Sequence, residues 1–174
     1  MPRPISLGRA GFSLLELLVA LAITAIVLGF AVPSLQRLLE RMALYSSVQQ
    51  FQAHIALARN SAIMRNQRVT LSTVHAGSWT NGWRCFTDNN ANAAHDSGEA
   101  LLTQGEPSAK TRVSGNGAMA NYISFNPDGY PQQLNGAFLA GTVTFCSPHN
   151  DKLALVMSRS GRVRLDKTPS GSCD

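Results

Sequence analysis

The residues near the C-terminal end of this 174-residue chain offer its clearest chemistry. Between positions 151 and 168 stand five basic groups, Lys152, Arg159, Arg162, Arg164 and Lys167, against two acids, Asp151 and Asp166. A guanidinium is a planar fork of donors that matches phosphate oxygens, so this cluster predicts a grip on a nucleic-acid backbone that does not read base sequence. SRSG (Ser158 to Gly161) separates two apolar runs and reads as a turn. With Arg159, Ser160 and Gly161 as a three-residue loop and Gly161 left-handed, the next strand starts at Arg162. Alternation then puts Arg162 and Arg164 on one face, about 6.6 Å apart, with Val163 and Leu165 toward a core. About three to five phosphate contacts imply weak binding and a log-log salt slope of about −3 to −4.5. The same charges would also keep an exposed edge strand soluble and block edge-to-edge pairing, a role that needs no ligand.

Other candidate sites are sparser. Asp88, Asn90, Asn92, Asp96 and Glu99 fall at offsets 1, 3, 5, 9 and 12 of a calcium loop, but Ala93 stands where that loop wants glycine. An Asx-rich hairpin loop explains the same residues without an ion. The histidines His54, His75, His95 and His149 share no ligand spacing, and no nucleophile motif or phosphate loop is present, so neither an enzyme nor a cofactor is expected. His54 reads as a solvated helix residue, and Trp79, Trp83 and Phe86 as packing on a helix. Three cysteines without a CxxC pair argue for one disulfide and one leftover thiol. For a domain outside the cytoplasm, Cys173 would tie the tail to a strand, and Cys146 in TVTFCS is the strand-like partner. Closing a loop of that size is worth about 3 kcal/mol.

At the other end, Glu16 lies inside an apolar run, Phe12 to Val32, whose other polar members are Ser13 and Thr24. The run is long enough to span a bilayer, and a carboxylate inside it costs about 2.5 to 3.5 kcal/mol even on lenient scales, so Glu16 should have a partner. Arg3 and Arg9 precede the run, which leaves the N-terminus cytoplasmic and sends the rest across. A secretory signal peptide cut near Gly29-Phe30-Ala31, or a plain anchor, would leave Glu16 unexplained. Cleavage between Gly11 and Phe12 would instead create an ammonium four residues from Glu16. Helices packed side by side could then neutralise one chain's carboxylate with its neighbour's amine.

Gly11-Phe12-Ser13-Leu14-Leu15-Glu16-Leu17 resembles the leader junction of type IV pilins and pseudopilins. The resemblance implies that a prepilin peptidase cuts after Gly11, that Phe12 is N-methylated, and that Glu16 guides assembly with other pilins. The blocks at 57–71, 82–102 and 153–165 look like those of GspH-type pseudopilins and FimT-type minor pilins. FimT-type proteins carry a GRxR motif that binds DNA in natural transformation, and here Gly161-Arg162-Val163-Arg164 matches it. The resemblance therefore implies a minor pilin, inserted in the bacterial inner membrane with its domain periplasmic, then carried on a pilus where it captures extracellular DNA. A structural minor pilin or GspH-like pseudopilin that primes a pilus or type II secretion filament without DNA is the other outcome it allows.

These sites need elements to hold them. Segments 1–11 (leader), 12–33 (membrane and filament-core helix), 34–66 (amphipathic helix) and 67–174 (β domain) make up the predicted organisation. Leu35, Leu38, Met42, Tyr45, Val48, Phe51, Ile55, Ala58 and Ala62 form a helical stripe, so one helix of roughly 80 Å runs from Phe12 to about Arg65. Strands are predicted near 69–74, 83–87, 100–103, 122–126, 142–146, 153–157 and 162–165, with NPDG at 126–129 a further turn. One long helix followed by strands alone means an α+β fold, the helix's second half laid on an antiparallel sheet. The net charge of +5, or +3 without the two leader arginines, is too mild to specify a partner by itself.

Overall fold

The computed structural model describes residues 13–108, 110–167 and 173. One helix, α1 (Leu14–Arg65), is followed by eight strands. These are β1 (Val69–His75), β2 (Ser78–Thr87), β3 (Leu101–Gly105), β4 (Arg112–Gly115), β5 (Tyr122–Phe125), β6 (Gly141–Cys146), β7 (Lys152–Met157) and β8 (Val163–Asp166). A 3-10 turn, Gly117–Ala120, lies between β4 and β5. The chain divides into two units, Met1–Leu38 and Leu39–Asp174.

In the first unit every described residue is exposed, and the helix is long and apolar enough to cross a membrane. Its hydroxyls are bonded within it: Ser13 Oγ accepts from the Glu16 backbone N–H at 3.2 Å, and Thr24 Oγ1 donates to the Ala20 carbonyl at 2.7 Å. Internal satisfaction of this kind is what a water-free environment demands of a polar side chain.

The second unit holds the core. Strands pair in the orders β3-β2-β1-β5 and β4-β6-β7-β8, all antiparallel, so the single predicted sheet is two four-stranded sheets. β4 is the strand the sequence hides: at four residues, set among Ser, Gly and Asn, it reads as loop, yet it pairs with β6 along its full length. Thr80 Oγ1 of β2 accepts from the Val113 N–H at 2.8 Å, stitching the two sheets together.

Leu44, Val48, Phe51, Ile55, Ala58 and Ala62 of α1 are buried against both sheets. Phe51 is the joint: it packs edge to face on Trp79 (5.0 Å), Trp83 (4.8 Å) and Phe145 (5.5 Å), which come from the two different sheets. Each such pair adds about 0.5 to 1.5 kcal/mol beyond area burial. Met42 and Tyr45, predicted in the stripe, are exposed. Successive steps of three residues from Met42 to Phe51 each rotate about 60° away from a helical face, whereas Leu44, Val48 and Phe51 hold it. Phe86 is also buried, but outside this core; it meets the His95 ring at 5.3 Å, so it packs under the 88–99 loop rather than on the helix. His54 is half-buried rather than solvated, its Nδ1 accepting from Trp83 Nε1 at 2.8 Å. Cys85 lies in the core, and burial pushes its thiol up to about 12, which leaves it unreactive.

Candidate nucleic-acid interface

The sequence from Met157 to Val163 closes as the turn chemistry requires. Gly161 N–H donates to the Ser158 carbonyl at 2.9 Å and Ser158 N–H to the Arg162 carbonyl at 3.0 Å, so Arg159, Ser160 and Gly161 form the loop, with Gly161 at φ 79°. Ser158 Oγ accepts a further bond from the Arg162 N–H at 3.2 Å. The strand starts one residue later than predicted, at Val163, which leaves Arg162 in the connection.

That shift matters for the arginines. Val163 and Leu165 pack on the core, as alternation predicts, and Arg162 and Arg164 are exposed. They do not line one site, however. Arg162 borders a depression shared with Gln52, Ala56, Arg59 and Asn60 of α1. Arg164, opposite Val156, borders another on the outer face of the second sheet, with Thr142, Thr144, Lys152 and Asp166. Lys152 and Lys167 border a third, beside Arg41. They stand at the far end of the β7–β8 hairpin from its loop, about 16 Å along the strand. The predicted cluster is thus the loop group Arg159, Gly161 and Arg162, with Arg164 next along β8 and the two lysines remote.

A residue absent from the sequence reading completes the loop group. Arg59 Nη1 donates to the Gly161 carbonyl at 3.4 Å, across 102 residues of chain, and shares the depression with Arg162. Its only sequence signal is a basic residue off the apolar stripe, shortly before the helix ends. Arg159 lies over the Phe138 ring, its Cζ 5.9 Å from the centroid. Asp128 is an acid in the adjoining 126–129 turn, where Gly129 abuts Ile63 and Arg59. Three guanidiniums around one loop can engage several phosphate oxygens in different directions.

Two charged residues of α1 are engaged elsewhere. Arg41 forms a two-point ion pair with Asp151 at 3.2 and 3.3 Å, and His149 Nδ1 meets Glu40 Oε2, tying α1 to the turn before β7. Cys146 and Cys173 are joined as a disulfide, Cα atoms 5.9 Å apart, and Arg112 Nη2 donates to the Cys173 carbonyl at 2.7 Å. Glu16 sits exposed in the first turn of α1, while Gly11 and Phe12 lie outside the described residues.

The calcium-spaced residues of the 88–99 loop are engaged in local hydrogen bonds. Asp88 is buried and accepts from Thr70 Oγ1 (2.7 Å) and the Asn92 and Ala93 N–H groups (3.0 and 3.1 Å). Asp96 Oδ2 takes the amides of Asn90 (2.8 Å) and Asn92 (2.7 Å), which hold its carboxyl below the usual range. Glu99 caps the N–H groups of Asn89 and Asp96, both at 2.9 Å. Oxygens of Asp88, Asn92, Asp96 and Glu99 thus serve donors that fix the loop, the pattern of an Asx-rich turn.

Comparison with known proteins bears on the whole chain. A family model described as Type II transport protein GspH matches residues 47–161, and one described as the prokaryotic N-terminal methylation motif matches residues 7–32. The pilin-like protein PilA1 of Thermus thermophilus is 31% identical over 163 residues, 91% of this chain and 99% of that one. The Pseudomonas aeruginosa type IV minor pilin FimU has the same fold, with a TM-score of 0.60 at 19% identity over 78% of this chain and 98% of its own. A second crystal form of FimU gives a TM-score of 0.57 at 17% identity over 75% of this chain and 99% of its own.

Proposed function

The chain belongs to the GspH family of pilin-like proteins, of the type IV minor pilin and pseudopilin kind, and from that membership we propose that it is a minor pilin that binds DNA backbones through its last hairpin. Membership makes it a membrane-anchored pilin that joins other pilins in a filament. DNA capture for natural transformation is the further step. The observation that carries it is the convergence of Arg59, Arg159 and Arg162 on the loop built around Gly161, with Arg164 next on β8. Gly161-Arg162-Val163-Arg164 also matches the GRxR motif of DNA-binding FimT-type pilins. Phosphate contacts of this kind position a duplex without reading it.

The anchor works on the same terms. A prepilin peptidase cuts after Gly11, Phe12 is methylated, and its amine meets Glu16 of a neighbour inside the filament. Before assembly the N-terminus stays cytoplasmic and the domain lies in the periplasm. The methylation-motif match over residues 7–32 and the exposed apolar residues in the first half of α1 support this reading.

β8 is an edge strand, so Arg164 on it and Arg162 just before it could instead serve only to block edge pairing. The full chain in non-ionic detergent separates the two roles. With Arg162→Ala and Arg164→Ala together, binding of duplex DNA falls at least about tenfold, the salt slope loses about two units, and the melting curve stays nearly unchanged. Unchanged binding with increased aggregation would leave the arginines an edge-protecting role and remove the DNA reading.

A further inference from the structure

Phe138 is 68% exposed, although the backbone around it is well fixed. Its neighbour Leu139 is fully buried, Gln132 bridges to it from the opposite side, and its carbonyl accepts from Gln133 Nε2 at 3.0 Å. A bond from the Gln133 N–H to the Ala137 carbonyl at 2.8 Å closes the turn before it. The ring therefore faces water because the fold puts it there. Tyr130, 55% exposed, lies in the stretch that leads into Gln132, and its neighbour Pro131 packs beside Gly161. Phe138 borders the arginine loop, with Arg159 over its ring.

An exposed ring beside guanidiniums has a definite use on a nucleic acid. Base faces in a duplex are covered by their neighbours, so a protein ring must part a base step to stack there, whereas an unpaired base offers its face without that cost. Stacking contributes about 1 to 3 kcal/mol per base and tolerates any sequence, while nearby arginines hold the backbone. We propose that Phe138, with Arg159 over its ring, is a stacking platform for an unpaired base, so that the hairpin loop holds single-stranded DNA more tightly than duplex. This deepens the DNA reading above and rests on it. Charge complementarity selects this occupant: a neighbouring protein segment would need to bring carboxylates to satisfy Arg59, Arg159 and Arg162, whereas a nucleic acid brings phosphates with every base.

The test uses the full chain in non-ionic detergent, a fluorescent oligothymidine strand, and a relaxed circular duplex, which has no ends, as competitor. Phe138→Ala is expected to weaken oligothymidine binding at least about fivefold, to leave the circular duplex within about twofold, and Phe138→Trp to keep both. Because the side chain is exposed, the melting curve of Phe138→Ala checks that folding is intact. Equal losses on both ligands, or no loss on either, would overturn the stacking role. If Arg162→Ala with Arg164→Ala weakens both ligands while Phe138→Ala weakens neither, backbone binding stands and stacking falls. If the unaltered chain binds neither ligand, both readings fall together. Normal DNA binding by Phe138→Ala with loss of co-assembly with other pilins would assign the ring to a filament contact instead.

Discussion

At Gly161 a Cβ would lie 3.2 Å from Pro131 Cδ and 3.3 Å from Arg59 Nη1, and the residue's φ of 79° already disfavours any L side chain. The left-handed conformation alone costs a non-glycine residue about 1 to 2 kcal/mol. Gly161→Ala should therefore lower stability by about 1 to 2 kcal/mol and weaken duplex binding, since Arg162 follows directly and Arg59 bonds this residue's carbonyl. Urea unfolding beside the binding assay checks both, and an alanine variant with unchanged stability would show that the loop is not pinned as described. The loop arginines were legible because turn chemistry is local. Arg59 was not, because its contact crosses 102 residues and nothing in the helix pattern marks it. The calcium spacing is ambiguous for the opposite reason: Asp and Asn at alternate positions serve a self-bonded loop as well as they serve an ion.

Among elements, α1 meets β2 through the His54–Trp83 bond and β3 through Thr103, whose Oγ1 lies 3.5 Å from His54 Nε2. Trp83 can only donate, so His54 Nδ1 must stay unprotonated in the fold, and burial lowers its value from the ordinary 6.5. A depressed folded value means that this contribution is complete above the unfolded value and fades as pH falls through it. The thermal midpoint should drop as pH falls below about 6.5, and His54→Gln, a neutral acceptor, should show a flatter profile there. Identical profiles would mean that the bond is not coupled to proton uptake. The long helix and seven of the strands were legible from period and composition. The second sheet was not, since β4 has four residues and β5 pairs back to β1 across the chain, a choice made by tertiary packing rather than by local propensity.

For the whole molecule, the division of labour follows from composition: a first unit whose described residues are exposed and mostly apolar, suited to membrane and filament, and a second unit that buries its own core from Leu44 onward. A surplus of +5 over 174 residues gives weak long-range attraction, so the DNA binding we propose rests on the few arginines at the hairpin. The salt dependence of duplex binding by the full chain counts those contacts directly. With Arg59, Arg159, Arg162 and Arg164 engaged, the log-log slope should lie at about −3 to −4.5, with micromolar or weaker affinity near physiological salt. No binding even at low salt, or a slope near zero, would contradict the account.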